Sequence, residues 1–286
     1  MQIPLSSQGD PKLPFLTACA TRTIDFAGTE DEAHPLQLVP ARWRAFSRLF
    51  TEFVDELADV ETKLEPDGTA LIAMFRNVVY EATELFDCYT NLLPSRINPC
   101  SKGERQALKE FRDVGQRLRS FTANLCNRCK HASAQLQFLW ARSSTNGRGS
   151  ARLLVQVYKG GNALLRDDKV HQGKMAGLGL VRIGHELAHN LLRIDSAAAR
   201  LINAMEDRVV GPMAAVSAEI PIGAALRRLS TLEATRHSDE SANHYGLVVR
   251  ADAIELVRVT AVDLGPNVRM TATLTHHLPT TSYSVA

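Results

Sequence analysis

The residues with the clearest chemical meaning lie in Gly184-His-Glu-Leu-Ala-His189. On a helix, residues four apart share a face, so His185 and His189 can turn two imidazole nitrogens toward one tetrahedral cation, with Glu186 beside it. Zinc held this way lowers the pKa of its water toward neutrality. Glu186 would take that proton as the water attacks a polarised carbonyl, then pass it to the leaving amine. The expected reaction is zinc-dependent peptide-bond hydrolysis, with Zn2+ as cofactor, a protein or peptide as substrate, and Glu186 as general base. The approach Met175–Gly184 and the intervening Leu187 and Ala188 are apolar, which predicts a buried helix. Burying two histidines and a glutamate is costly unless a ligand satisfies them.

A third metal ligand has three acidic candidates. Asp195 follows His189 by six residues, but position 192 is Leu, where a sharp turn would want Gly, and Asp195-Ser196 reads more simply as a helix N-cap. Glu206, in Asn203-Ala-Met-Glu-Asp207, would come level with His185 if the chain reversed near Asp195 and formed a hairpin of helices. The third candidate is the pair Asp239 and Glu240, in Thr235-Arg-His-Ser-Asp-Glu-Ser-Ala-Asn-His-Tyr-Gly-Leu247. Tyr245, His244 and His237, in the same stretch, are candidates to stabilise a developing oxyanion.

That stretch resembles the Ser-Arg-x-x-Glu-x-x-Ala-Asp-x-x-Gly-Leu signature found downstream of His-Glu-x-x-His in HtpX-like and Ste24-like gluzincin zinc peptidases. The resemblance covers about residues 180–250 and includes none of that family's membrane segments. It implies a zinc ligand at Asp239, with Glu240 adjacent, and an orienting carboxylate at the position held here by Asn243. Aspartate reaches one methylene less far than the family's glutamate, and asparagine lacks the charge that raises histidine basicity.

These residues need a scaffold. Trp43, Phe46, Leu49, Phe50, Phe53, Val54 and Leu57 recur at helical spacing from Pro40 onward, and Asp67-Gly68 breaks the pattern. Further helices are expected from about Ala70 to Leu92 and from about Lys102 to Trp140, the last long enough that a kink or break is expected. Within it, Asn127-Arg-Cys-Lys-His131 resembles the Asn-x-x-Lys-His turn of some HEPN-type helical domains, although a solvated helix face is the favoured reading. Leu153–Tyr158 has strand composition, residues to about Thr260 look helical, and Val268–Leu274 could add a strand. The expected fold is mainly α (α+β): an N-terminal helical bundle followed by a zincin-like metallopeptidase domain with a small sheet. Its expected divisions are a loosely ordered segment at 1–40 with few core contacts, the bundle at 41–145, the metallopeptidase-like domain at 150–260 and a tail at 261–286. The polar stretch Ser143–Ser150 is the expected interdomain loop.

Composition excludes several function classes. With 33 Lys and Arg against 31 Asp and Glu, no dominant field favours nucleic acid or an anionic membrane. No apolar run spans a bilayer and the first residues lack a secretory signal, so a cytoplasmic protein is expected, with delivery as a secreted bacterial effector a variant. Five cysteines suit reduced thiols, and the single pair Cys126-x-x-Cys129 does not complete a four-cysteine knuckle. The alternative to an enzyme is a non-catalytic helical interaction or regulatory protein with a structural or degenerate zinc site. Oligomeric state is not legible.

Overall fold

Helical spacing in the first half of the chain and alternating patterns in the second give a mixed α+β fold. It is seen in a computed structural model that describes residues 1–22, 26–27, 34–63, 66–130, 134–143, 147–159, 163–171, 177–206, 217–236, 241, 243–264 and 268–273. In chain order, β1 (Gln2–Pro4), α1 (Pro14–Thr21), α2 (Pro35–Thr62) and α3 (Thr69–Asp87) come first. A π-helical turn, Cys88–Leu92, carries α3 into α4 (Leu93–Arg96), and α5 (Lys102–Lys130) follows. Then come β2 (Ala134–Ser143), β3 (Gly149–Lys159), β4 (Ala163–Arg166), α6 (Asp168–His171), β5 (Leu178–Gly179) and α7 (Leu180–Ala204). The chain continues through α8 (Gly223–Thr231), β6 (Thr235–Arg236), β7 (Asn243–Val249), β8 (Ala253–Thr260), β9 (Val262–Asp263) and β10 (Val268–Thr273). No described helix is long and apolar enough to cross a membrane.

The aromatic stripe of α2 is the buried face it was expected to be, with Trp43, Phe46, Phe50 and Phe53 all fully buried. The long third helix stops at Lys130, short of Trp140. Arg76 Nη2 and Tyr80 Oη of α3 donate to the Cys129 carbonyl at 3.2 and 2.8 Å and so satisfy the end of α5. Beyond it, Gln135-Leu-Gln-Phe138 alternates polar and apolar, the period of a strand rather than a helix. The expected interdomain loop Ser143–Ser150 is instead the hairpin joining β2 to β3, with Ser143 N–H donating to Arg148 C=O at 2.8 Å. The sheet runs β10-β2-β3-β4 with β5 also on β3, all antiparallel. Val268–Thr273 pairs with β2, as a tail strand. Residues 243–260, expected as helix, form the hairpin β7–β8, since Val248, Val249, Ile254, Val257 and Val259 are β-branched residues that suit a pleated surface.

The N-terminal stretch is packed rather than loose. β1 lies along β8 to give a second sheet of order β1-β8-β7, and Ile3, Leu13 and Phe15 are fully buried. One cluster of buried side chains runs from Ile3 to Ala261, so the divisions drawn at residues 40 and 145 do not separate cores. All five cysteines are free. Arg128 pairs with the buried Asp167, and Lys130 lies 5.6 Å over the Tyr80 ring, so these residues of the Asn127–His131 stretch fasten the end of α5; His131 lies outside the described residues.

α7 is the axis of this packing. It touches α1, α5, β7 and α8, and Leu180, Leu187, Leu191, Ile194, Ala198 and Ile202 are buried around it. Asp195, fully buried on it, accepts hydrogen bonds from Tyr89 Oη at 2.5 Å and from Phe15 N–H at 3.0 Å. Tyr89 Oη in turn accepts from Trp43 Nε1 at 2.9 Å. Helix α1 begins after Leu13, which cannot cap it, so the carboxylate of α7 takes over the N-cap's role from across the core. This buried chain ties α2, the π-turn, α7 and α1 together.

Burial pushes Asp195 up to about 7, against the opposing pull of Tyr89 and the Phe15 N–H. A carboxyl whose folded value lies above its unfolded one confers stability that is full below about pH 4 and is lost as pH rises toward and past 7. Urea unfolding at pH 5 and pH 8 should therefore show wild type losing stability relative to Asp195→Asn as pH rises; a pH-independent gap would refute the titration. Tyr89→Phe should cost about 2 kcal/mol, since it strands both Trp43 Nε1 and one Asp195 oxygen in the core.

Candidate functional site

His185 and His189 lie one turn apart in the first half of α7, and each is only 3% exposed. Gly184, just before them, lets the helix sit close to its neighbours. A Cβ there would come within 3.3 Å of Leu229 on α8 and 3.5 Å of Phe53 on α2. Burial of the motif's apolar flanks, expected from the sequence, comes from α2, α8 and β7 together.

Strand β7 covers the histidines. Its inward residues alternate, so His244 and Gly246 share the face turned toward α7. The His244 ring, itself buried, stands edge-on to His185 at a centroid distance of 5.8 Å. At Gly246 the backbone passes so close that an added Cβ would lie 3.7 Å from His185 Nδ1 and 2.5 Å from Val259. Tyr245 stacks on His189, with centroids 5.0 Å apart and planes inclined by 27°. Thus His185, Glu186, His189, His244 and Tyr245, separated by more than fifty residues in sequence, come together.

Both imidazoles on α7 are held neutral. Burial pushes His185 down to about 3, helped by the neighbouring His244 and His189 and opposed by the Leu229 carbonyl. His189 is pushed down to about 4, again first by burial, with Asn190 opposing and Arg193 adding to the shift. His189 Nδ1 lies 3.3 Å from Asn190 Oδ1, an arrangement that puts the proton on Nδ1 and leaves Nε2 as a lone-pair donor. His185 Nδ1 is buried with no hydrogen-bond partner among the described residues. A neutral imidazole with an uncommitted nitrogen in a dry setting is the form that binds zinc.

The other candidates fall elsewhere. α7 runs without reversal from Leu180 to Ala204, so no helical hairpin forms and Glu206 lies on the order of 30 Å along the axis from His185. Its exposed side chain is remote from the histidines, and its N–H donates to Glu104 Oε1 at 2.8 Å. Asp195 is mid-helix, not an N-cap of a following helix, and is committed to Tyr89 and Phe15. Asp239, Glu240 and His237 lie outside the described residues, as do His276 and His277. Among the described residues no three His, Cys, Asp or Glu side chains converge as a metal-binding group. His185 and His189 are thus the two described imidazoles that could hold a metal, without a third described side chain converging on them.

Compared with protein-family models, curated proteins and solved structures, the chain matches none. The site must be read from its own geometry. One feature had no sequence signal: Arg258 on β8, directly opposite Tyr245 in the hairpin register, places its guanidinium 5.4 Å over the Tyr245 ring. Only the β7–β8 pairing brings it there.

The depressed histidine values have a consequence for stability. Their folded values lie below their unfolded ones, so the metal-free protein keeps this stability above about pH 6.5 and loses it as pH falls toward 4 and 3. Nitrogen-15 shifts of the metal-free protein at pH 5.5 should show both rings neutral, with Nδ1 of His189 protonated. A ring found charged at that pH would contradict the burial argument.

Proposed function

We propose that this chain is a zinc-dependent hydrolase of peptide bonds, a zincin-like enzyme in the manner of the HtpX-like and Ste24-like gluzincins. The observation that carries the reading is the pair of buried, neutral imidazoles one turn apart on α7, flanked by Glu186 and covered by β7. His185 and His189 would hold the zinc. The acidic pair Asp239 and Glu240, in the segment leading into β7, is the source of the third ligand.

When bound, zinc would supply an acidified water and a polarised scissile carbonyl. The chain's own residues do the rest. Glu186, half-buried beside His185, takes the proton of the attacking water and returns it to the leaving amine. Asn190 fixes the tautomer of His189. Tyr245, stacked on His189, holds that ring in orientation and can offer its hydroxyl to the developing oxyanion. His244 disfavours protonation of His185 and so keeps it a ligand. Protein or peptide segments are the substrate class.

A second reading, a non-catalytic helical protein in which the histidines brace the core, is favoured by the burial of most of α7, His185 and His189 included, and by Asp195 being spent on structural bonds. The two readings separate at Glu186. Atomic emission should find about one zinc per chain in wild type and none in His185→Ala. Glu186→Gln should keep the metal while hydrolysis of a casein substrate falls roughly a hundredfold or more. Wild type that stays zinc-free after equilibration with the metal would end the hydrolase reading, and zinc-loaded protein with no cleavage to lose would favour the bracing one.

A further inference from the structure

The most telling feature outside the ligand set is a line of side chains, His189, Tyr245 and Arg258. The Tyr245 ring has His189 stacked at 5.0 Å and the Arg258 guanidinium 5.4 Å from its centroid. Tyr245 is 39% exposed and Arg258 is exposed, so this line leads from the buried imidazole to the surface. Stacking on an aromatic ring uses the face of a guanidinium and leaves its in-plane N–H groups available for a carboxylate.

The nearest described carboxylate on the same strand does not neutralise it. Glu255 accepts from Arg250 Nε at 3.3 Å and from Gln2 Nε2 at 3.1 Å, three residues before Arg258. Among the described residues Arg258 has no ion pair. Arg193, one turn beyond His189 on α7 and half-buried, is likewise without an acidic partner among the described residues, and its charge reaches His189. Two guanidiniums without an acidic partner among the described residues are therefore associated with the His189–Tyr245 stack, Arg258 through the Tyr245 ring and Arg193 through its charge on His189, in a chain whose overall charge is close to neutral.

We infer that Arg258 is a specificity residue that binds a carboxylate of the substrate, with Arg193 adding to the attraction, so that the site prefers anionic peptides. This rests on the hydrolase reading above for the identity of the substrate, while the arginine pair is an observation of its own. The carboxylate could be a peptide's free C-terminus or an acidic side chain, and the two are separable.

The test uses the full-length, zinc-equilibrated Glu186→Gln protein, so that no probe is consumed, and three dansyl probes read by fluorescence anisotropy: Ala-Ala-Phe with a free carboxylate, its neutral amide, and Ala-Asp-Phe amide. At least one of the carboxylate probes should bind about tenfold tighter than the neutral amide, and which one does identifies the source. Adding Arg258→Gln should abolish the preference, Arg258→Lys should restore part of it, and 0.5 M salt should weaken it. Because Arg258 is exposed, the thermal midpoint should not move. Equal binding of all three probes, or a preference that survives Arg258→Gln, overturns the proposal. Zinc content measured in the same samples reports on the hydrolase reading separately: a zinc-free protein that still prefers carboxylates supports the arginine site and removes only the metal chemistry.

Discussion

A helix packed into the core must find a partner for each buried polar group it carries, and α7 carries His185, Glu186, His189, Asn190 and Asp195 within about three turns. Elsewhere on the helix, leucine, isoleucine and alanine satisfy this constraint at no polar cost. At Asp195 it is met by a tyrosine hydroxyl and a helix-end N–H brought from the other side of the core. At the histidines it is met only in part. One ring leans on Asn190, and Nδ1 of the other has no hydrogen-bond partner among the described residues.

The two polar groups face different parts of the protein because of helical geometry. Asp195, six residues beyond His189, is rotated about 120° around the axis and lies roughly 9 Å along it. It serves the helical layer, where α1, α2 and the π-turn meet α7. The histidines serve the opposite layer, where α8 and the hairpin β7–β8 close over them. One helix thereby links the stability of the N-terminal half to the orientation of the residues proposed to do chemistry, and β1, paired on β8, extends the link to the start of the chain.

Close approach on the histidine side depends on two residues without side chains. Gly184 admits α2 and α8, and Gly246 admits the backbone of β7 against His185. Their joint effect is electrostatic as much as steric: burial disfavours the protonated imidazoles and holds both rings neutral. From the buried His189 a line of side chains leads through Tyr245 to the exposed Arg258.

The sequence by itself determined the grouping of His185, Glu186 and His189 and the local periods. His185, Glu186 and His189 lie on one helix because their spacing and apolar flanks fix it, and the buried stripe of α2 and the strands Leu153–Tyr158 and Val268–Thr273 follow from patterns within a few residues. Where patterns were ambiguous, the reading failed for identifiable reasons. The end of α5 is set by Arg76 and Tyr80, fifty residues away, and Asn243–Thr260 shows its strand character only when its two halves pair. Tertiary structure alone decided that α7 runs straight through Asp195, which separates Glu206 from His185, and that His244, Tyr245 and Arg258 gather at the motif. Those outcomes depend on cross-strand register and on which faces are buried together, and neither quantity is written in the spacing of residues along one segment.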